Sequence, residues 1–236
     1  ELRLVGSEMC IRDRLCATWP FANNNKRCIN MPIKVWHCHN ARSLRALWAL
    51  EEMGLDYEVE VMAFPPRFTT PDFLNTNELG TIPYMIDGDV HMTESSGIPL
   101  YLVEKYGKHE FGLRSDHPEY GEYINWLFHS DATLTFPQTV YIRYTLQEPP
   151  ERGLGDAATD YAKWYHARLR RLNRFLADGR EYLVDNRFTI ADIDISYALH
   201  LGETLGIDER YKPQVRDYLN RMRERPAFQK VVVLGA

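Results

Sequence analysis

Cys38, Asn40 and Ser43 form the first group of residues whose types and spacing could do chemistry. Asn40 is a good N-cap, Cys38 stands two residues ahead of it, and Ser43 falls on the first turn of the helix it would start. A helix N-terminus lowers the pKa of a nearby thiol, which makes Cys38 a candidate redox group. It has no second cysteine nearby to resolve a disulfide, which favours a passive thiol. Thr93-Glu94-Ser95 is a second helix start, ahead of Ile98, Leu100, Tyr101 and Val103 and ended by Gly107. Thr189 and Asp192 make a third, a Thr-x-x-Asp box whose carboxylate caps helix amides and is not free for acid–base work. No spacing of cysteine and histidine makes a zinc pattern.

The elements that must position these residues emerge from periodicity. Ile33 to His37 reads as a strand, Ala41 to Met53 as a mostly buried helix stopped by Gly54, and Tyr57 to Val61 as an alternating strand. Phe64 to Pro71 is a loop and Asp72 to Leu74 a short helical turn. Pro83 opens an apolar run to Ile86, where it could begin a strand but not sit mid-ladder. Asp87-Gly88-Asp89 is a hairpin signal, and Val90 to Met92 returns antiparallel. Residues 109–117 read as a linker, after which only helical periods occur.

Tyr120, Tyr123, Ile124, Leu127, Phe128, Asp131 and Leu134 stand at helical spacing on one long helix that Pro137 bends or ends. A second stripe runs through Tyr161, Tyr165, Leu169, Leu172 and Leu176. Arg168, Arg170, Arg171 and Arg174 are spread round this helix and offset by nearby aspartates, as on a solvated face.

Composition narrows the function classes. Of 236 residues, 44% are hydrophobic and 26% charged, as in ordinary globular proteins, and a net charge of −5 gives no electrostatic case for nucleic acid. No apolar run approaches the roughly 20 residues that span a bilayer, so no membrane partner is expected. Residues 1–30 lack a sustained helix or strand period and read as a non-native, disordered leader, with Met31-Pro32 as the true start. Cys10, Cys16 and Cys28 lie in that leader, leaving Cys38 alone and favouring a reducing cytoplasm.

Strand, helix, strand, then a hairpin entered through Pro83 and continued by a helix, resembles the thioredoxin-like domain of cytosolic glutathione transferases. Asn40 to Arg45 and Leu47 to Leu55 look like the first helix of bacterial members, and Thr189-Ile190-Ala191-Asp192 resembles the capping box of their helical domain. The resemblance implies an α/β thioredoxin-like domain over 31–108 and an all-helical domain over 118–236. It implies glutathione as co-substrate, no metal, a small apolar electrophile, a role in detoxification and a homodimer. The aromatic Tyr120, Tyr123, Trp126 and Phe128 would serve that dimer, with buried core as the competing explanation.

Carried onto this chain, the family pattern gives glutathione Arg67, Thr81, Ile82, Pro83, Glu94 and Ser95. The proline is cis in the family, and the residue before it meets the peptide as an added strand would. The Glu-Ser pair at a helix start receives a carboxylate. Many members place Tyr, Ser or Cys at the first helix to hold the sulfur; here Ser43 and Asn40 are the candidates, because Ala41 offers no hydrogen bond. His39, Trp126, His129, Thr133 and Phe136 are expected to line the acceptor site, with Tyr141 and Tyr144 as further candidates. The alternatives are a glutathione-dependent disulfide or peroxide reductase, an aryl-ether-cleaving enzyme, and a non-catalytic binding or scaffold protein.

Overall fold

Alternation in Ile33–His37 sends Val35 into one core and Trp36 into another, and this strand, β1, is the centre of the sheet. The structure, a computed structural model, describes residues 32–236, so the expected leader lies outside the described residues. β1 pairs in parallel with β2 (Tyr57–Val61) and antiparallel with β3 (Tyr84–Asp87), which pairs with β4 (Val90–Met92), giving the order β2-β1-β3-β4. β3 begins one residue after Pro83, which has no N–H to give the ladder.

Helix α1 (Ser43–Met53) crosses between β1 and β2 and buries nearly every side chain. It starts two residues later than the sequence predicts. Asn40 is not its N-cap: it takes a φ of 57°, the left-handed region that asparagine tolerates, and the chain turns there before Arg42 leads into the helix. A short helix α2 (Pro66–Thr69) comes after β2, and α3 (Gly97–Lys105) after β4. This is a thioredoxin-like domain with a mixed four-stranded sheet.

The helical domain packs on α1. The long helix predicted from Tyr120 is divided into α4 (Tyr120–Phe128), a π-helical stretch His129–Thr135, α5 (Phe136–Ile142) and a second π-helical stretch Arg143–Gln147. The helix does not end at Pro137, whose missing N–H falls on the first turn of α5, where the ladder changes register. Then come α6 (Gly155–Phe175), α7 (Ile190–Thr204), α8 (Pro213–Arg223) and α9 (Pro226–Val232). Tyr123 and Trp126 are fully buried in the main core, which accounts for half of the aromatic character of α4; Phe128 is exposed.

Chain closure is tied back to α1. Arg225 holds the Glu52 carboxylate through two bonds of 2.6 and 2.7 Å, and Lys230 meets Glu51 at 2.7 Å. α7 is buried almost throughout, so its free amides need partners inside the protein. Asp192 reaches back to the Thr189 N–H at 2.8 Å and also accepts from the Leu183 N–H at 3.0 Å and the Tyr218 hydroxyl at 2.9 Å. Each buried donor left unsatisfied costs about 1–3 kcal/mol, so Asp192→Ala should lower unfolding free energy by at least about 3 kcal/mol. Thr189→Ala, which leaves those bonds in place, should cost only about 1 kcal/mol. Urea unfolding with an unchanged m-value reads the difference, and equal losses would reject the assigned role.

Candidate active site

A cleft of about 440 Å³ lies between the two domains, within the range usual for small-molecule sites. One wall comes from the turn after β1 (His39, Asn40, Ala41, Arg42), from Phe64, Pro66 and Arg67, and from Gly80, Thr81 and Ile82. The facing wall is helical: Thr135, Thr139, Val140, Ile142, Arg143 and Leu146, with Tyr197, Leu201 and Thr204 from α7 and Leu205 just after it.

The loop before Pro83 is built to present backbone. Buried Asn77 donates to the Thr81 carbonyl at 2.9 Å and accepts from the Leu79 N–H at 3.2 Å. Gly80 has a φ of +58°, and a Cβ there would stand 2.8 Å from Cβ of Arg67, so glycine is the residue that lets the loop lie against the arginine stem. The Ile82–Pro83 peptide is cis. β3 pairing with β1 stops at Tyr84, and among the described residues the N–H and C=O of Ile82 take no hydrogen-bond partner. An unpaired strand edge facing a cleft accepts an extended peptide.

Asn40 is fixed from behind. The Tyr197 hydroxyl donates to its carbonyl at 3.2 Å, and His200 Nε2–H donates to its Oδ1 at 3.4 Å. Arg223 donates to His200 Nδ1 at 2.9 Å and pairs with Glu203 at 2.5 Å, so the imidazole must be neutral with its proton on Nε2. Burial first, then the Arg223 charge, holds His200 down at about 4. With Oδ1 occupied, the Asn40 amide nitrogen is the group left to donate into the cleft.

Ser43, expected with Asn40 to hold the sulfur, does not line the cleft. It is fully buried, and its hydroxyl stands 2.8 Å from His37 Nδ1 while His37 Nε2 faces the Leu234 carbonyl at 3.1 Å. The carbonyl requires a proton on Nε2, so Nδ1 takes the Ser43 proton and none is left for a ligand. Burial keeps the His37 pKa below its ordinary value. Cys38 is also fully buried, and burial pushes its thiol up to about 11, an inert group.

Arg67, Thr81, Ile82, Asn40 and His39 are brought together in the cleft; Pro83, Glu94 and Ser95 are not among its lining. Pro83 is buried and Glu94 exposed. Ser95 is buried and accepts from Arg45 Nη1 at 2.8 Å, which leaves its own hydroxyl proton free. Of the expected acceptor residues only His39 lines the cleft. Trp126 packs in the core against His129 and Phe175, ring centroids 5.2 and 4.9 Å away. Burial first, then Arg171 and Arg168, lowers His129 to about 4. Thr133 lies outside the lining, as do Tyr141 and Tyr144, and Phe136 packs on the outer face near Tyr161 and Trp164.

For Phe136, Tyr141 and Tyr144 the cause is the π-helical stretch that precedes them. Bonding from i to i+5 inserts an extra residue into the turn and rotates the helix beyond it, so a phase carried forward from Tyr120 selects the neighbouring face. The residues missed, Thr135, Thr139, Ile142, Arg143 and Leu146, keep a helical stripe of their own. Tyr197, Leu201, Thr204 and Leu205 show the same i, i+4, i+7, i+8 spacing in the sequence.

Beneath the cleft lies Arg45, fully buried. Its Nη1 donates to Ser95 at 2.8 Å and Asp131 at 3.1 Å, and its Nη2 to Thr135 at 2.9 Å and the Asp194 carbonyl at 3.4 Å. The Asp194 carboxylate stands 3.6 Å from Nε, and the Tyr197 ring lies 4.7 Å from the guanidinium carbon. Burial pushes Asp194 up to about 7 against the pull of Arg45.

Comparison with known proteins agrees with this architecture. Residues 31–104 match the model of the glutathione S-transferase N-terminal domain. Glutathione S-transferase 1 of Schizosaccharomyces pombe is 34% identical over 164 residues, 66% of this chain and 69% of that protein. Glutathione S-transferase 3 of Zea mays is 30% identical over 209 residues, 80% of this chain and 87% of that protein. The crystal structure of a glutathione transferase from Methylococcus capsulatus superposes with a TM-score of 0.74 at 25% identity, covering 85% of this chain and 97% of that one. Ure2p in complex with glutathione shares the fold, with a TM-score of 0.72 at 22% identity over 85% of this chain and 97% of that one. With its thioredoxin-like sheet, its helical domain and these relatives, the chain belongs to the glutathione S-transferase family.

Proposed function

We propose that the protein binds glutathione along the first-domain wall and attaches its sulfur to a small electrophile held against the helical wall. The observation that carries this reading is the unpaired Ile82 backbone at the cleft, between Arg67 and the Asn40 turn. There the cysteinyl unit pairs with Ile82, Arg67 takes the glycyl carboxylate, and the start of α3 with the free Ser95 proton takes the γ-glutamyl carboxylate. Glutathione-bound structures of the fold support glutathione as co-substrate. The register of Asn40 to Leu55 supports a bacterial-type member, and a single cysteine beyond residue 30 supports a reducing cytoplasm.

A second reading is a binding protein without transferase activity. It is favoured by the nitrogen regulation fragment of the yeast prion protein Ure2p, which shares the fold at a TM-score of 0.72 and 22% identity. Glutathione-dependent turnover, measured on aryl halides, enones, aryl ethers and a mixed disulfide, separates the readings. Conjugation of the first two supports the transferase, turnover confined to the ether or the disulfide supports the etherase or the reductase, and glutathione binding without turnover supports the binding protein.

A free thiol of pKa about 8.5 is only a few per cent ionised at neutral pH, so a transferase must favour the thiolate. Here the donor is the Asn40 amide, aimed by His200, together with backbone amides at the start of α1. Titrating the ultraviolet absorbance of bound thiolate reads its pKa. Asn40→Ala should raise it by about one unit, His200→Ala by less, and Ser43→Ala not at all, since one charge-assisted hydrogen bond is at stake. Identical titrations in all variants would exclude Asn40, and a rise confined to Ser43→Ala would overturn the assignment.

A further inference from the structure

The cleft is lined by Arg42, Arg67 and Arg143 and by no aspartate or glutamate. The carboxylates behind it are shared. Asp131 lies 3.5 Å from Arg42 but also 3.1 Å from Arg45, and the only other carboxylate on Arg45 among the described residues is Asp194 at 3.6 Å. Glu148 pairs with Arg143 at 2.7 Å and also with Arg152. Arg67 meets no carboxylate among the described residues and lies over the Phe68 ring at 4.7 Å. Three guanidiniums thus line the cleft, and the two carboxylates that meet them, Asp131 and Glu148, are each shared with a further arginine behind or beside it.

Glutathione accounts for part of that positive charge. Arg42 and Arg67 stand on the first-domain wall, where Arg67 takes the glycyl carboxylate under the proposed function, on which this inference rests. Arg143 stands on the opposite wall, among Val140, Ile142 and Leu146. Its side chain is 59% exposed and can turn from Glu148, which Arg152 continues to hold. An uncharged acceptor seated there would leave Arg143 on Glu148, whereas a carboxylate gives the guanidinium a partner inside the cleft while Arg152 holds Glu148.

We propose that the acceptor is an electrophile with an apolar body and a carboxylate, the body lying on Ile142 and Leu146 and the carboxylate on Arg143. This refines the apolar electrophile expected from the family: the wall takes both an apolar surface and one negative charge. A guanidinium meets a carboxylate through two parallel bonds, so Arg143 also orients the acceptor across from the sulfur.

The test is calorimetric and does not depend on turnover. The probes are glutathione and two of its conjugates, S-(4-carboxy-2-nitrophenyl)glutathione and the corresponding carboxamide. The wild type should bind the carboxylate conjugate about tenfold more tightly than the carboxamide, the scale of one charge-assisted contact. Arg143→Gln should abolish that preference without changing the affinity for glutathione, and Arg143→Lys should keep part of it. Equal binding of the two conjugates by a wild type that binds glutathione would overturn the inference alone. A loss of glutathione affinity in Arg143→Gln would assign the charge to glutathione and overturn it as well. Failure of the wild type to bind glutathione would overturn the functional reading and this one together.

Discussion

A guanidinium with no exposed surface is the constraint to which the rest of the molecule answers. Arg45 reaches from α1 into the helical domain, and a buried charge is tolerated only where nearly every donor is met. The groups that meet it come from the start of α3, the π-helical stretch and α7. Three elements far apart in sequence are therefore held at one point. Two of the groups around it, Thr135 and Tyr197, also line the cleft.

The site inherits its geometry from that point. Tyr197 lies against Arg45 with its ring and donates its hydroxyl to Asn40, so the turn after β1 is tied to the same cluster. Ser95 is oriented by Arg45 with its proton free at the head of α3. Asp131 and Thr135, four residues apart on the π-helical stretch, both reach the same guanidinium. Asp194 has no hydrogen-bond partner for either carboxylate oxygen among the described residues, and its elevated pKa of about 7 is a consequence of that burial.

Much of this is legible in the sequence, and the failures have physical causes. The strands, the hairpin at Gly88 and the capping box at Asp192 obey local rules of alternation, turn chemistry and capping, which act over a few residues, whereas the cleft residues Arg67, Thr81 and Ile82 are legible only through the family resemblance. Ser43 escapes those rules because a hydroxyl on the first helical turn faces ligand or core according to its long-range partner, and that partner is His37 on β1. Phe136 escapes them because a π turn has no local sequence signature and shifts every later face, and Trp126 because an aromatic on an amphipathic helix faces core or cleft according to its long-range partners, here His129 and Phe175. Arg45 gives no signal at all. An arginine on an amphipathic helix reads as solvated unless the carboxylates that will surround it are known, and here they lie 86 and 149 residues away.

The central claim is that Arg45 and Asp194 form one buried unit joining the two domains, and a double-mutant cycle tests it most directly. The quantity measured is unfolding free energy in wild type, Arg45→Met, Asp194→Leu and the double variant. Removing one member of a buried pair costs about 3–5 kcal/mol because the other is left uncompensated, whereas replacing both with apolar residues removes that penalty. The account predicts that the double variant loses less than the sum of the single losses by about 2 kcal/mol or more. Strict additivity of the two losses would contradict it.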